Sequence, residues 1–210
     1  MRSFRVILAV FALLAAAGCQ AANDNRVILI IGDSLSAGFG LDAEQSWVAL
    51  LRDQLTSEGY GYRVVNASIS GDTTSGGLRR LPRALEQHDP DIVLVELGGN
   101  DGLRGTPIYV IRSNLTSIIE LSKASGAHVV LAGMEMPPNY GATYTNAFSR
   151  IYRDLAENHE VALIGFFMED VVLNPNLMQT DGIHPNADGQ SGLLNNVWPV
   201  LEGLLVTGEG

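Results

Sequence analysis

Several things are scarce in this sequence, and each scarcity narrows what the chain can be. It has one cysteine, Cys19, in 210 residues. No intrachain disulfide can form. Basic side chains are few: 13 Lys and Arg stand against 23 Asp and Glu, for a formal net charge of -10. Nucleic-acid binding needs clustered Lys and Arg against the phosphates, so that partner class is excluded. No apolar run reaches the roughly 20 residues that a membrane-spanning helix requires. No linker, repeat or low-complexity tract breaks the chain. It reads as one domain, long enough to bury a sizeable core.

The N-terminus stands apart from that domain. Arg2 and Arg5 precede an uncharged apolar run over 6–17, which closes on the small residues Ala15, Ala16, Ala17 and Gly18. Basic, apolar and small segments in that order predict a secretory leader over residues 1–22, with the mature domain at 23–210. Cys19 falls at the expected cleavage point. Ala17-Gly18-Cys19 resembles the end of a bacterial lipoprotein signal, although Ala16 stands where leucine is usual. Two outcomes stay open. Cleavage before Cys19 would give a lipidated, membrane-anchored protein. Cleavage near Ala22 would give a soluble one. The expected location is export to the periplasm in either case.

Apolar runs of strand length alternate with segments of helical period. Residues 27–31, 63–66, 92–97, 128–132 and 161–164 read as strands. Residues 46–56, 78–88, 107–125, 144–158 and 187–205 read as helices, with irregularities expected at Pro82 and Pro199. Near-continuous apolar strands between helices predict an α/β fold, a parallel five-stranded sheet covered on both faces in three αβα layers. Ligands on such sheets bind beyond the carboxyl ends of the strands.

Four polar blocks fall there. Gly32-Asp33-Ser34 follows the first strand, Ser70-Gly71-Asp72 the second and Gly99-Asn100-Asp101 the third. Asp181-Gly182-Ile183-His184 precedes the last helix. Ester cleavage by a hydroxyl needs a base to take its proton, and a neutral imidazole suits that task near pH 7. The imidazole needs a carboxylate to hold its tautomer, and the tetrahedral intermediate needs two or three donors around its oxygen. Ser34, His184 and Asp181 supply nucleophile, base and orienter. The N–H groups of Ser34 and Gly71 and the side-chain amide of Asn100 supply the donors of an oxyanion hole. A histidine base predicts a rate that rises with pH across neutrality.

These blocks resemble those of the SGNH hydrolases, also called the GDSL esterases, which are named for Ser34, Gly71, Asn100 and His184 in this order. The stretches at 32–38 (GDSLSAG), 65–73 (VNASISGDT), 95–105 (VELGGNDGLRG) and 179–186 (QTDGIHPN) are similar to the periplasmic thioesterase, lysophospholipase and arylesterase branch of that family. The likeness covers essentially the whole mature chain. It implies a flavodoxin-like arrangement of the layers, no metal, no organic cofactor, and hydrolysis of acyl thioesters, simple or aryl esters and lysophospholipids at one site. It also implies a mobile loop over 102–107 beside an acyl groove. Gly102, Leu103, Arg104, Met136, Pro138 and Ile183 are the candidate groove residues, with Met134, Pro137, Tyr140 and Phe148 as neighbours. A small-molecule or lipid acyl ester is the expected partner, and a monomer the expected state. The G-x-S-x-G elbow of the α/β-hydrolases is absent.

Other readings attach to the same residues. Asp33, Asp181 and His184 are metal-ligand types, but no second histidine lies near them in sequence. The small polar residues at 70–77 suit a phosphate or flavin cradle, but the Walker lysine is missing. A sugar O-acetyl esterase shares the same blocks. Asp72 and Asp101 are expected to hold loops by hydrogen bonds, and His88, His128 and His159 to lie at the surface or at helix ends.

Overall fold

The computed structural model describes residues 26–207. The expected leader at 1–22 and Cys19 lie outside the described residues. Five strands form one sheet: β1 (Val27–Gly32), β2 (Arg63–Asn66), β3 (Ile92–Glu96), β4 (His128–Ala132) and β5 (Ala162–Ile164). Their order is β2-β1-β3-β4-β5, and every neighbouring pair is parallel. All six residues of β1 and all five of β3 are buried, as a sheet covered on both faces requires. Each fully buried Ile or Leu contributes about 1.5–3 kcal/mol to folding.

Among the described residues seven α-helices surround the sheet: α1 (Ser34–Ala37), α2 (Trp47–Ser57), α3 (Thr74–His88), α4 (Gly99–Leu103), α5 (Ile108–Ala124), α6 (Ala142–His159) and α7 (Gln190–Glu202). The helices α2 and α7 pack together on one face, and α3, α5 and α6 pack on the other. Trp47, buried at the start of α2, is tied to α7 by its backbone N–H, which donates to Gln190 Oε1 at 2.9 Å. The chain passes from β1 outward to β2, then returns past β1 to β3. This reversal leaves a crevice at the carboxyl ends of β1 and β3, the place where such sheets take ligands.

The strands and long helices lie where the hydrophobic periods put them, within a few residues. Three departures have physical causes. First, α3 starts at Thr74 rather than 78. Its first turn contains Gly76 and Gly77, which lower helix propensity and hide the turn from a periodicity reading. The glycines are there for space: a Cβ on Gly77 would overlap Leu97 Cδ1. Second, α3 continues through Pro82, and α7 continues through Pro199. A 3-10 turn at Ala187–Gly189 leads into α7, which ends at Glu202 rather than 205. Third, α1 and α4 are helices of one turn, where only loops were expected. Segments this short show no period.

Candidate active site

The first of these short helices holds the nucleophile candidate. Asp33 caps α1, its Oδ1 accepting the N–H of Leu35 at 3.0 Å, and Gly38 closes the turn in the left-handed region at φ 72°. Ser34 is therefore the first residue of a helix that begins directly after β1. The N–H groups at such a start have no intrahelical acceptor.

The base comes from the other side of the crevice. His184 Nε2 lies 2.8 Å from Ser34 Oγ, and its Nδ1 lies 2.7 Å from Asp181 Oδ2. The other oxygen of Asp181 accepts the N–H groups of Ile183 at 2.9 Å and His184 at 3.0 Å. These bonds, the backbone N–H of His184 foremost, lower the Asp181 pKa to about 2. The imidazole is 16% exposed and the carboxylate 37% exposed. Phe39 covers the imidazole, with ring centroids 4.5 Å apart.

Two further elements supply donors. Gly71 occupies the third position of a turn closed by the Asp72 N–H on the Ile69 carbonyl at 3.0 Å, and its φ is 78°. Glycine alone takes that angle without strain. Asn100 stands in the first turn of α4, and its Nδ2 donates to Asp33 Oδ2 at 2.9 Å. An amide has two N–H groups, so the second stays available. Burial raises the Asp33 pKa to about 6 against those donors. Beside it, Glu96 ends β3 fully buried, its pKa pushed well up, first by burial and then by the Asp33 charge.

Asp72 and Asp101 hold loops, as the sequence led us to expect. Asp101 accepts both the N–H and the Oγ1 of Thr74 at 2.8 Å, which joins α4 to the start of α3. Asp72 accepts the Thr73 N–H and pairs with Arg80 Nε at 2.7 Å. Arg80 also donates to the carbonyls of Ala67 and Gly32, so one guanidinium ties together the ends of β1 and β2. The bonds from Thr73 and Thr74, with that from the Gly76 N–H to Thr73 Oγ1, also argue against a phosphate cradle at 70–77. Three of the N–H groups in that segment are taken by the chain's own side chains. Among the described residues, no three His, Cys, Asp or Glu side chains gather as a metal site.

Sequence residues 30–191 match the GDSL-like Lipase/Acylhydrolase family, more than half of the chain. The chain belongs to that family. It is 52% identical to Esterase TesA of Pseudomonas aeruginosa over 86% of this chain and 90% of that protein. It is 52% identical to the Escherichia coli protein named thioesterase 1/protease 1/lysophospholipase L1, over 78% of this chain and 77% of that one. Among solved structures, TesA superposes with a TM-score of 0.84 over 86% of this chain and all of that one, at 52% identity. The psychrotrophic esterase EstA of Pseudoalteromonas, solved as inhibited by monoethylphosphonate, gives 0.82 at 41% identity, over 85% of this chain and 97% of that one.

In this GDSL-like chain an apolar groove of about 240 Å³ opens beside Ser34 and His184. Of the candidate groove residues Leu103, Met136 and Ile183 line it, and so do Met134 and Pro137. Five expected residues lie outside its lining, Tyr140 among them. Pro138 begins a 3-10 turn outside the wall, so Pro137 takes the position expected of it. Gly102 sits behind the wall, where a Cβ would overlap Met136 Sδ. Arg104 turns to the oxyanion side and donates to the Gly71 carbonyl at 3.0 Å. Phe148 is fully buried in the core beneath α4. The expected mobile loop at 102–107 is held by the hydroxyls of Tyr140 and Tyr144, which donate to the carbonyls of Leu103 and Thr106. Sequence reasoning missed Phe166, Met168 and Val172, which complete the groove from the irregular segment after β5. It also missed Glu96, whose only sequence signal is a lone acid at the end of an apolar strand.

Proposed function

We propose that the chain is a serine hydrolase of acyl esters and thioesters. The observation that carries this reading is the continuous chain from Ser34 Oγ through His184 to Asp181, with contacts of 2.8 and 2.7 Å, at the edge of an apolar groove. Ser34 Oγ attacks the substrate carbonyl carbon and gives its proton to His184 Nε2. The carbonyl oxygen becomes an oxyanion, met by the N–H groups of Ser34 and Gly71 and the free N–H of Asn100. Collapse expels the alcohol or thiol, which takes the proton from His184. Water then attacks the acyl-serine, His184 takes its proton, and the proton returns to Ser34 as the acid leaves. Asp181 keeps the imidazole in the tautomer that presents a bare Nε2 to the serine.

The groove supports acyl chains rather than sugars as the group held, because its walls are Leu, Met, Phe, Val and Ile side chains. Acyl thioesters and lysophospholipids, the kinds of substrate in the name of the Escherichia coli relative, present such a chain. All three catalytic candidates come from one chain, which supports a working monomer. We further propose that residues 1–22 are an export leader, and that Cys19 is lipidated if cleavage falls before it. Among the described residues no helix is long and apolar enough to cross a membrane.

The test is hydrolysis of p-nitrophenyl esters from acetyl to palmitoyl, by the wild type and by Ser34→Ala. The mutant should lose roughly 10³-fold or more in kcat at every chain length. It should also fail to retain a fluorophosphonate label that the wild type holds. Unchanged turnover in Ser34→Ala would sink the assignment.

A further inference from the structure

Beneath the nucleophile lie two carboxyl groups that the mechanism above does not use. Asp33 is 2% exposed and Glu96 0%. They face each other because Gly32 and Glu96 are register partners between β1 and β3. Their hydrogen bonds are unequal. Asp33 has a donor on each oxygen: the Leu35 N–H on Oδ1 and Asn100 Nδ2 on Oδ2. Glu96 has both of its donors on one oxygen. Ser36 Oγ donates to Oε2 at 2.7 Å, and the Asp33 N–H donates to it at 3.2 Å. Glu96 Oε1 is buried with no partner.

A buried anion needs donors on both oxygens, because an unpaired charged oxygen away from water is costly. Asp33 meets that condition and Glu96 does not. Two close carboxylates also resist ionising together. Glu96 Oε2, as a double acceptor, suits the carbonyl oxygen of a neutral acid. The orphan Oε1 is then where the proton sits.

We propose that Asp33 and Glu96 share a single proton in the working enzyme, and that Glu96 is a positioning residue which, by keeping that proton, leaves the charge on Asp33 to hold the Asn100 amide toward the oxyanion. The inference rests on the reading of Asn100 as an oxyanion donor. Asp33 is the link between the two: its Oδ2 accepts one N–H of Asn100, which leaves the other for the oxyanion. A second proton on the pair would remove the anionic acceptor and free the amide to rotate.

The other groups around the pair are few. His184 lies across the site and favours the Asp33 charge. From α6, Tyr152 spends its hydroxyl on the Leu97 carbonyl at 3.0 Å. From α3, Arg80 donates to the Gly32 carbonyl. From α4, Asp101 is engaged by Thr74. None of them reaches the orphan oxygen by a hydrogen bond. Burial holds Asp33 at about 6, so the second proton arrives as pH falls through that value. Activity that depends on Asn100 orientation should be lost in the same direction.

Three readouts test the pair, and two of them need no turnover. Infrared difference spectra of the wild type at pH 8 should contain the carbonyl stretch of one buried protonated carboxyl, and that band should be absent in Glu96→Gln. The side-chain amide signals of Asn100 in nitrogen-edited NMR should titrate with a midpoint near 6, and Asp33→Asn should abolish the titration. In kinetics, Glu96→Leu should lower kcat about tenfold with KM changed by less than twofold, and Glu96→Gln should restore most of it. A pH 8 spectrum without the protonated carboxyl band, or Asn100 signals flat from pH 5 to 8, would overturn the proposal even if Glu96→Leu does not fold. A Glu96→Gln enzyme as impaired as Glu96→Leu would overturn it as well, because it would mean that an ionised Glu96 is needed. The spectroscopic results stand apart from the Ser34→Ala assay, so failure of this pair and failure of the hydrolase reading are distinguishable.

Discussion

Asp181 and His184 are three residues apart, and Asp181 accepts two backbone N–H groups of its own turn as well as the imidazole. Its pKa near 2 means that it stays ionised wherever the enzyme works. The sign follows from the direction of the shift. A depressed carboxylate pKa gives an interaction that is complete above the ordinary range and lost only as pH falls toward the depressed value. The acid limb of kcat/KM near neutrality should therefore carry no contribution from Asp181. A pH–rate profile of Asp181→Asn checks this. Its kcat should fall by about 10³–10⁴-fold, with no ionisation deleted from the limb above pH 4.

At the scale of elements, packing decided the details that a periodicity reading leaves out. Three of the four polar blocks were legible because each puts a chemical residue type directly after a strand, and the fourth because it stands just before the last helix. The strands were legible because β1, β3 and β4 are almost unbroken runs of Ile, Leu and Val. The two one-turn helices were not legible, although they carry Ser34 and Asn100. A single turn has no hydrophobic face to repeat, and its caps, Asp33 and Gly98, look like ordinary turn residues. The segment after β5 hid for a related reason. Phe166, Met168 and Val172 reach the groove from irregular backbone, where side-chain direction follows no period. The start of α3 was hidden by Gly77, whose missing side chain admits Leu97 from the end of β3. Gly77→Val should force these elements apart and destabilise the fold by about 1–3 kcal/mol, as overpacking does. Urea unfolding followed by circular dichroism would measure it, and stability equal to the wild type would contradict the packing argument.

Across the whole molecule, each part of the site comes from a different loop on one edge of the sheet. Ser34 follows β1, Gly71 follows β2, Asn100 follows β3, and the groove wall comes from the chain after β4 and β5. The sheet acts as a rigid frame, and some of the groove residues on these loops, Met134 and Met168 among them, also belong to the core. Met136→Trp should fill part of the groove. It should lower kcat/KM for dodecanoyl esters at least tenfold more than for acetyl esters, which a p-nitrophenyl series reads directly. Equal losses at all lengths would show that Met136 does not border the acyl chain.

The strip from Gln179 to Asn186 has a further meaning. The Gln179 N–H donates to the carbonyl of His184, Gly182 bends back onto Gln179, and Asn186 is anchored to Leu177. The proposed base and its orienter thus travel on one short self-tied peptide, while the proposed nucleophile belongs to a different part of the chain. Evolution or a protein engineer can move such a piece intact. Any scaffold that offers a serine at the start of a helix and two sockets for this strip would receive an imidazole already aligned with its carboxylate, without having to invent their alignment one residue at a time.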